Sequence, residues 1–353
     1  MKKRLKKMLS ILLCLAVIFS MAACGGNGGN DSESGKEGED GGMPTIRVGV
    51  SWHEKQSTNV TVWSEYMKKF GDELGPEYGV SFEWIEVTGD GTPVQETANI
   101  QDLINQQVDV LVIWCNNAET IGESIQQAQD AGIKVVTLDH QDAGKLADAH
   151  VGQDTLKQSV DAAEALADIL EEDGVENAQA IEMFGSTGDP NSVNRSEGWA
   201  QVEEERGMWE TVTTVPTEWE TETFKSGLSN ALAAYPDAEV LFLASDFAFS
   251  AVQSALEEAG RWAPRGEEGH IYICTQDINP EAYPAFVDGY IDAGVGFDNI
   301  AHAKKVVEVV ADLYLGNEVD KENWITTPAV TADNIETEES IWARDYLAGE
   351  FEE

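Results

Sequence analysis

The sequence predicts an α/β protein with two similar lobes, each a parallel sheet built from βαβ units. Three observations predict it. Short β-branched runs alternate with amphipathic helical windows from about residue 44 onward. The alternation runs through twice, once in each half of the chain. With 353 residues, 42% hydrophobic and 25% charged, the chain is long enough for two cores of ordinary size and has the balance of a globular protein.

The first element is not part of the fold. Lys2, Lys3, Arg4, Lys6 and Lys7 precede an apolar run from Ile11 to Met21 that is too short to span a bilayer, the pattern of a secretory leader over residues 1–23. It ends in Met21-Ala22-Ala23-Cys24, which resembles the bacterial lipobox, with Met where that pattern usually has Leu. Cys24 is therefore the expected lipidation site. Residues 24–43 are dominated by Gly, Asn, Ser, Asp and Glu, cannot bury enough apolar surface to fold, and read as a flexible tether.

The first strand is expected over Ile46 to Ser51. Trp63, Tyr66, Met67, Phe70 and Leu74 then recur at spacings of three and four, one apolar stripe of a helix. A strand from Val80 to Val87 leads to a helix opened by Thr92 as N-cap, Pro93 at the first helical position and Gln95 completing a capping box. Strands over Val108 to Cys115 and Ile133 to Leu138 flank a helix beginning near Asn117. The continuous run Val110-Leu111-Val112-Ile113-Trp114 is that of a strand covered on both faces.

The second half opens with a helix presenting Leu156, Val160, Ala163, Ala167 and Leu170 on one face. Strands follow near Ala178 to Phe184, Trp209 to Val215, Glu239 to Ala244, His270 to Thr275 and Ile291 to Gly296. The acidic end, 336–353, reads as a tail with a partly ordered helix.

Charge and cysteine usage narrow the function. The 65 acids against 22 bases give a formal charge of -43, which repels a phosphate backbone and argues against nucleic acid as a partner. Of four cysteines, Cys14 falls in the leader and Cys24 at the lipobox, leaving Cys115 and Cys274, expected as two buried thiols at strand ends. No phosphate-loop, zinc-peptidase, nucleophile-elbow or dinucleotide motif occurs. His53-Glu54 lacks the second histidine that zinc would require, so neither a metal nor a cofactor is expected.

In open α/β sheets ligands bind beyond the carboxyl ends of the strands. Those positions hold Trp52 and His53, Asn116 and Asn117, Asp139 and His140, the stretch Gly185 to Asn194 with Arg195, Trp219, Ser245 and Asp246, and Asp277. The set is hydrogen-bonding and aromatic, without an obvious nucleophile. A sugar ring asks for carboxylate, amide and guanidinium partners for its hydroxyls and flat apolar surfaces for its C–H faces. Taken singly, Asp139 also fits an N-cap, and Trp52 or Trp219 an ordinary core aromatic. A glycoside-processing enzyme using Asp139 and Asp277 as paired carboxylates is the competing class.

Several segments together resemble the type I periplasmic binding proteins, in particular the ribose, galactose and xylose branch that feeds ABC transporters. They are VGVSW at 48 to 52, ETANIQDLINQQVDVLVIW at 96 to 114, AGIKVVTLDH at 131 to 140, HVGQD at 150 to 154, NRSEGW at 194 to 199, AYPDAEVLFLASDFAFSAVQSALEEAG at 234 to 260 and CTQDINPEA at 274 to 282. The resemblance implies two Rossmann-like lobes joined by three crossover segments and closing on a ligand. It implies a first lobe of 44–153 plus about 298–327 and a second of 154–297 plus about 328–335. It gives Asp139 and Asp277 to sugar hydroxyls, Arg195 to ring and anomeric oxygens, Trp219 to stacking, and Trp52 to the opposite face.

His53, His140 and Ser245 complete the expected ligand-binding set. His140 stands where ribose receptors have Arg, Ser245 where they have Asn, and a later Gln is replaced near Phe297, departures that point away from simple ribose. The expected protein is thus a monomeric, membrane-tethered extracytoplasmic receptor, not an enzyme, that hands a sugar-like ligand to an ABC permease. A nucleoside or furanosyl signal molecule is the alternative ligand, and a ligand-presenting sensory module the alternative role.

Overall fold

The computed structural model describes residues 42–54 and 57–349; the leader, Cys24 and nearly all of the tether lie outside the described residues. In chain order the first half contains β1 (Thr45–Trp52), α1 (Thr58–Tyr78), β2 (Ser81–Thr88), α2 (Pro93–Asn105), β3 (Val110–Trp114), α3 (Gly122–Asp130), β4 (Lys134–Leu138) and β5 (Ala149–Gln153). Then follow α4 (Thr155–Asp173), β6 (Ala178–Phe184), α5 (Pro190–Arg206), β7 (Trp209–Pro216), α6 (Thr221–Ala234), β8 (Ala238–Leu243), α7 (Phe249–Glu258), β9 (Tyr272–Asp277), α8 (Tyr283–Val287) and β10 (Ala293–Gly296). The chain closes with α9 (Asn299–Leu315), β11 (Glu322–Ile325), β12 (Ala329–Thr331) and α10 (Trp342–Leu347).

Two six-stranded sheets result, ordered β11-β5-β4-β3-β1-β2 and β12-β10-β9-β8-β6-β7, and every pairing is parallel except β10 with β12. The central strands are apolar on both faces because helices cover both: all five residues of β3 are buried. In β1, Ile46, Val48, Val50 and Trp52 share one face and meet Trp63 and Met67 of α1 and Val306 and Val310 of α9. The second sheet buries Phe224, Leu228 and Phe249 on one side and Leu166, Leu170 and Trp199 on the other.

The chain passes between the sheets three times: from β5 into α4, from β10 into α9, and from β11 into β12. One polar knot joins these passages. Gln158 Nε2 donates to Thr327 Oγ1 at 2.7 Å, and Thr327 Oγ1 donates to the Gly296 carbonyl at 2.8 Å.

Several local expectations are corrected. Thr92 caps α2 by accepting from the Gln95 amide at 3.3 Å, but the Gln95 side chain bonds Asn99 while Asp90 takes the Thr92 amide, so the box does not close reciprocally. Near Asn117 there is a turn rather than the helix itself: its Oδ1 accepts from Glu119 and Thr120 amides, and α3 starts at Gly122. Within the acidic end lies the helix α10, at whose start Ile341 and Ala343 are buried in the second-lobe core. Cys115 and Cys274 are buried free thiols.

Candidate functional site

The carboxyl ends of both sheets face one another, and the backbone there departs from ordinary strand geometry. Asp139, Trp219 and Asp277 have φ of 61°, 59° and 86°, a left-handed conformation that is uncommon for side chains other than glycine and a clear outlier for tryptophan. Such conformations persist where surrounding contacts over-determine them, and they cluster at functional sites.

Asp139 follows β4 and is held from both lobes. Its Oδ2 accepts from Trp114 Nε1 at 3.0 Å, and its Oδ1 accepts from Asn191 Nδ2 at 2.7 Å across the gap. Burial raises its pKa; His140 and Arg195 oppose that rise, while Asp189 and Asp277 add to it. His140 lies beside it, its Nε2 3.4 Å from Asp139 Oδ2 and 3.5 Å from Asp189 Oδ1 of the other lobe. The Ala118 amide also meets the Gly188 carbonyl of the second lobe at 3.4 Å.

Asp189 owes its position to the start of α5. It is the N-cap before Pro190 at the first helical position, its Oδ1 accepting from the Asn191 amide at 2.8 Å. Its Oδ2 also accepts from Ser192 Oγ and from Trp219 Nε1 at 3.2 Å, which ties the Trp219 ring to the same loop. Gly185 is required there, since a Cβ would fall on the Trp219 ring and Ser192 Oγ.

One turn along α5, Arg195 is 4% exposed. It donates to Asp277 Oδ1 at 2.6 Å and to the Ala244 carbonyl at 2.7 Å, while its Nε has no protein partner. Ser245 Oγ donates to the other oxygen of Asp277 at 2.5 Å. Behind them Asp246 holds the Asn279 amide and side chain, and burial, then Asp277, pushes its pKa up to about 7.

The first-lobe wall is aromatic. His53 lies 3.9 Å from Trp114 and 5.8 Å from His140 between ring centroids, and neither of its ring nitrogens has a protein partner. Burial, then His140, holds its pKa down at about 3, so the ring is neutral and has one donor and one acceptor to offer.

Of the expected residues, the structure brings together His53, Asp139, His140, Arg195, Trp219, Ser245 and Asp277. Trp52 is placed elsewhere: it is 1% exposed, stacks on Trp63 and donates to Glu86 at 2.7 Å inside the first-lobe core. Its ring packs into the first-lobe core with Ile46, Val48 and Val50, whereas its register partner Trp114, in the same cluster, reaches Asp139. Trp114 joins the cluster without having been singled out, and Asp189 and Asn191 join it from the stretch Gly185 to Asn194, where neither had been named individually. The Asp-Pro pair at 189 and 190 is the sequence signal that singles out Asp189 within that stretch, as an N-cap before a first-turn proline. Among the described residues no group of His, Cys, Asp and Glu could hold a metal ion, and no helix is long and apolar enough to cross a membrane.

Comparison with known proteins agrees with this architecture. The family described as periplasmic binding protein domain matches residues 48–318. The ribose import binding protein of Bacillus subtilis is 22% identical over 317 residues, covering 90% of this chain and 96% of that one. The crystal structure of a solute binding protein from Bacillus halodurans with bound myo-inositol aligns with a TM-score of 0.73 and 21% identity, over 87% of this chain and 100% of that one. A galactofuranose binding protein aligns with a TM-score of 0.72 and 16% identity, over 85% and 99%. Sheet order, crossover pattern and the match over most of its length agree: this chain belongs to the periplasmic binding protein family.

Proposed function

We propose that the protein is an extracytoplasmic receptor that captures a neutral sugar or sugar-like molecule between its lobes and delivers it to an ABC permease, with Cys24 carrying a lipid anchor. The observation that carries the reading is the strand-end constellation of Asp139, Asp277 and Arg195 beside the aromatic pair Trp114 and Trp219. Carboxylates and a guanidinium in fixed orientations suit vicinal hydroxyls, and flat rings suit the C–H faces of a sugar. Ribose import and myo-inositol binding in its relatives support the same ligand chemistry. A furanose is a second reading, favoured by the galactofuranose binding protein. In this reading the paired carboxylates bind rather than hydrolyse, because Asp277 is committed to Arg195 and Ser245 and Asp139 to Trp114 and Asn191.

A thermal-shift panel of pentoses, hexoses in pyranose and furanose forms, inositols and nucleosides tests the proposal. A ligand at 100 times its Kd adds about 2.7 kcal/mol to stability. One class of neutral polyol should raise the melting temperature stoichiometrically and be recovered unchanged. Melting unaffected by every polyol, or release of a hydrolysed glycoside, would overturn it.

A further inference from the structure

His140 makes two different kinds of contact. On one side its Nδ1 lies 2.7 Å from the Cys115 carbonyl oxygen, which can only accept, so Nδ1 carries a proton. On the other side Nε2 stands at ion-pair distance from two carboxylates, Asp139 of its own lobe and Asp189 of the opposite lobe. A neutral ring with its proton on Nδ1 would leave an uncharged acceptor nitrogen beside both. An imidazolium places a positive charge beside them instead.

We propose that His140 is a positioning residue for lobe closure: doubly protonated, it ties Asp139 to Asp189 across the gap, and deprotonated, it lets the lobes part. The inference rests on the receptor reading of this site and adds its regulation. Burial works against the charge on His140, but Asp189, then Asp139 and the Cys115 carbonyl, outweigh it and raise its pKa above 6.5, with Arg195 opposing. The other facing groups leave the sign unchanged. His53 on the β1 side and His150 on β5 are neutral, each held down at about 3 by burial first. Glu96 on α2, which accepts from the Asn116 amide at 2.8 Å, is pushed up to about 7 by burial and competes, as does Asp139, whose pKa burial also raises.

The sign follows from which lobe supplies which partner. Opening keeps Asp139 beside His140 but removes Asp189, so His140 has a higher pKa in the closed form than in the open one. Closure therefore takes up a proton. It is fully favoured below the open-form pKa and is lost as pH rises through the closed-form pKa.

Exchange of the Ala118 amide, whose acceptor is the Gly188 carbonyl of the other lobe, reads closure directly. It would be followed by NMR in the full-length chain without sugar at pH 5.5 and 8.5, with intrinsic exchange rates divided out. Protection should fall with rising pH, by about tenfold for each unit by which closure raises the His140 pKa. His140→Gln should make protection independent of pH. Asp189→Asn, which keeps an N-cap acceptor, should lower the His140 pKa in an imidazole titration and flatten the profile. Glu96→Gln should retain the transition. Equal wild-type protection at both pH values, an unaltered profile in both folded variants, or loss of the transition in Glu96→Gln would each overturn the proposal. No sugar enters the measurement, so its failure is distinct from failure of the ligand panel.

Discussion

Asp139 and Asp277 occupy equivalent places in the two lobes but are held differently, and different losses follow. Asp139 bonds only neutral donors, Trp114 and Asn191, with the His140 ring beside it at 3.4 Å. Asp139→Ala leaves these groups, or the hydroxyls of a bound ligand, without a partner. At about 1–3 kcal/mol for an unmet buried polar group, affinity should fall about 5- to 150-fold. Calorimetry with the sugar identified by the thermal panel checks this, and an unchanged Kd would remove Asp139 from the site. Asp277 instead neutralises the buried Arg195. Asp277→Asn strands that guanidinium and should cost about 3–5 kcal/mol of folding stability in urea. Combining it with Arg195→Met should lose less than the sum of the single changes, because the stranded charge is gone. Additive losses would mean that the pair is not coupled. Asp139 and Asp277 could be picked out in the sequence because each follows a recognisable strand, and Arg195 because it closes the polar stretch after another. The roles of Trp52 and Trp114 were not readable there. Trp52 and Trp114 are paired neighbours at the ends of β1 and β3, and only three-dimensional packing sends one to Glu86 and the other to Asp139.

At the scale of elements, strands with long apolar runs were legible and short polar ones were not. The fully buried β3 and the largely buried β8 stand out in the sequence. By contrast β5, β11 and β12 are three to five residues long, and two of them lie at sheet edges, so β-branched patterning has too few positions to register. They matter all the same, since β5 and β11 lead directly into crossovers. The contact between α4 and α5 was likewise invisible, because it depends on a missing side chain. At Gly198 a Cβ would stand 2.7 Å from the Leu156 carbonyl oxygen and 2.8 Å from Ser159 Cβ, on the helix that also receives Ser159 Oγ at the Arg195 carbonyl. Backbone cannot yield as a flexible side-chain tip does. Gly198→Ala should force the helices apart at a cost of about 1–3 kcal/mol. It should also shift Arg195 and weaken ligand binding, although residue 198 lines no part of the gap. Chemical denaturation alongside calorimetry checks both; full stability with full affinity would show that the helices are free to separate.

Taken whole, the molecule repeats one wound plan in two lobes, and that repetition was evident from composition and alternation alone. The meeting of the lobes was not, because the contacts of Asp139 with Asn191 and of His140 with Asp189 join segments about fifty residues apart through folds that must each form first. Charge also acts at this scale. With a formal -43 and a pI near 4.2, the folded chain confines many more carboxylates than cations, and compaction raises their mutual repulsion. The surface ion pairs, such as Arg206 with Glu164, Asp168 and Glu171, use single cations against several acids and cannot neutralise the excess. Added salt shortens the screening length from about 30 Å at 0.01 M to about 8 Å at 0.15 M, less than the span of one lobe. Repulsion between distant carboxylates should therefore collapse over that range while the buried Arg195–Asp277 pair is little screened. The melting temperature should rise between 0.01 and 0.15 M sodium chloride at pH 7, and rise less at pH 5, where part of the carboxylate charge is already lost. A melting temperature that stays level with salt at pH 7 would mean that the carboxylates are spaced widely enough to ignore one another.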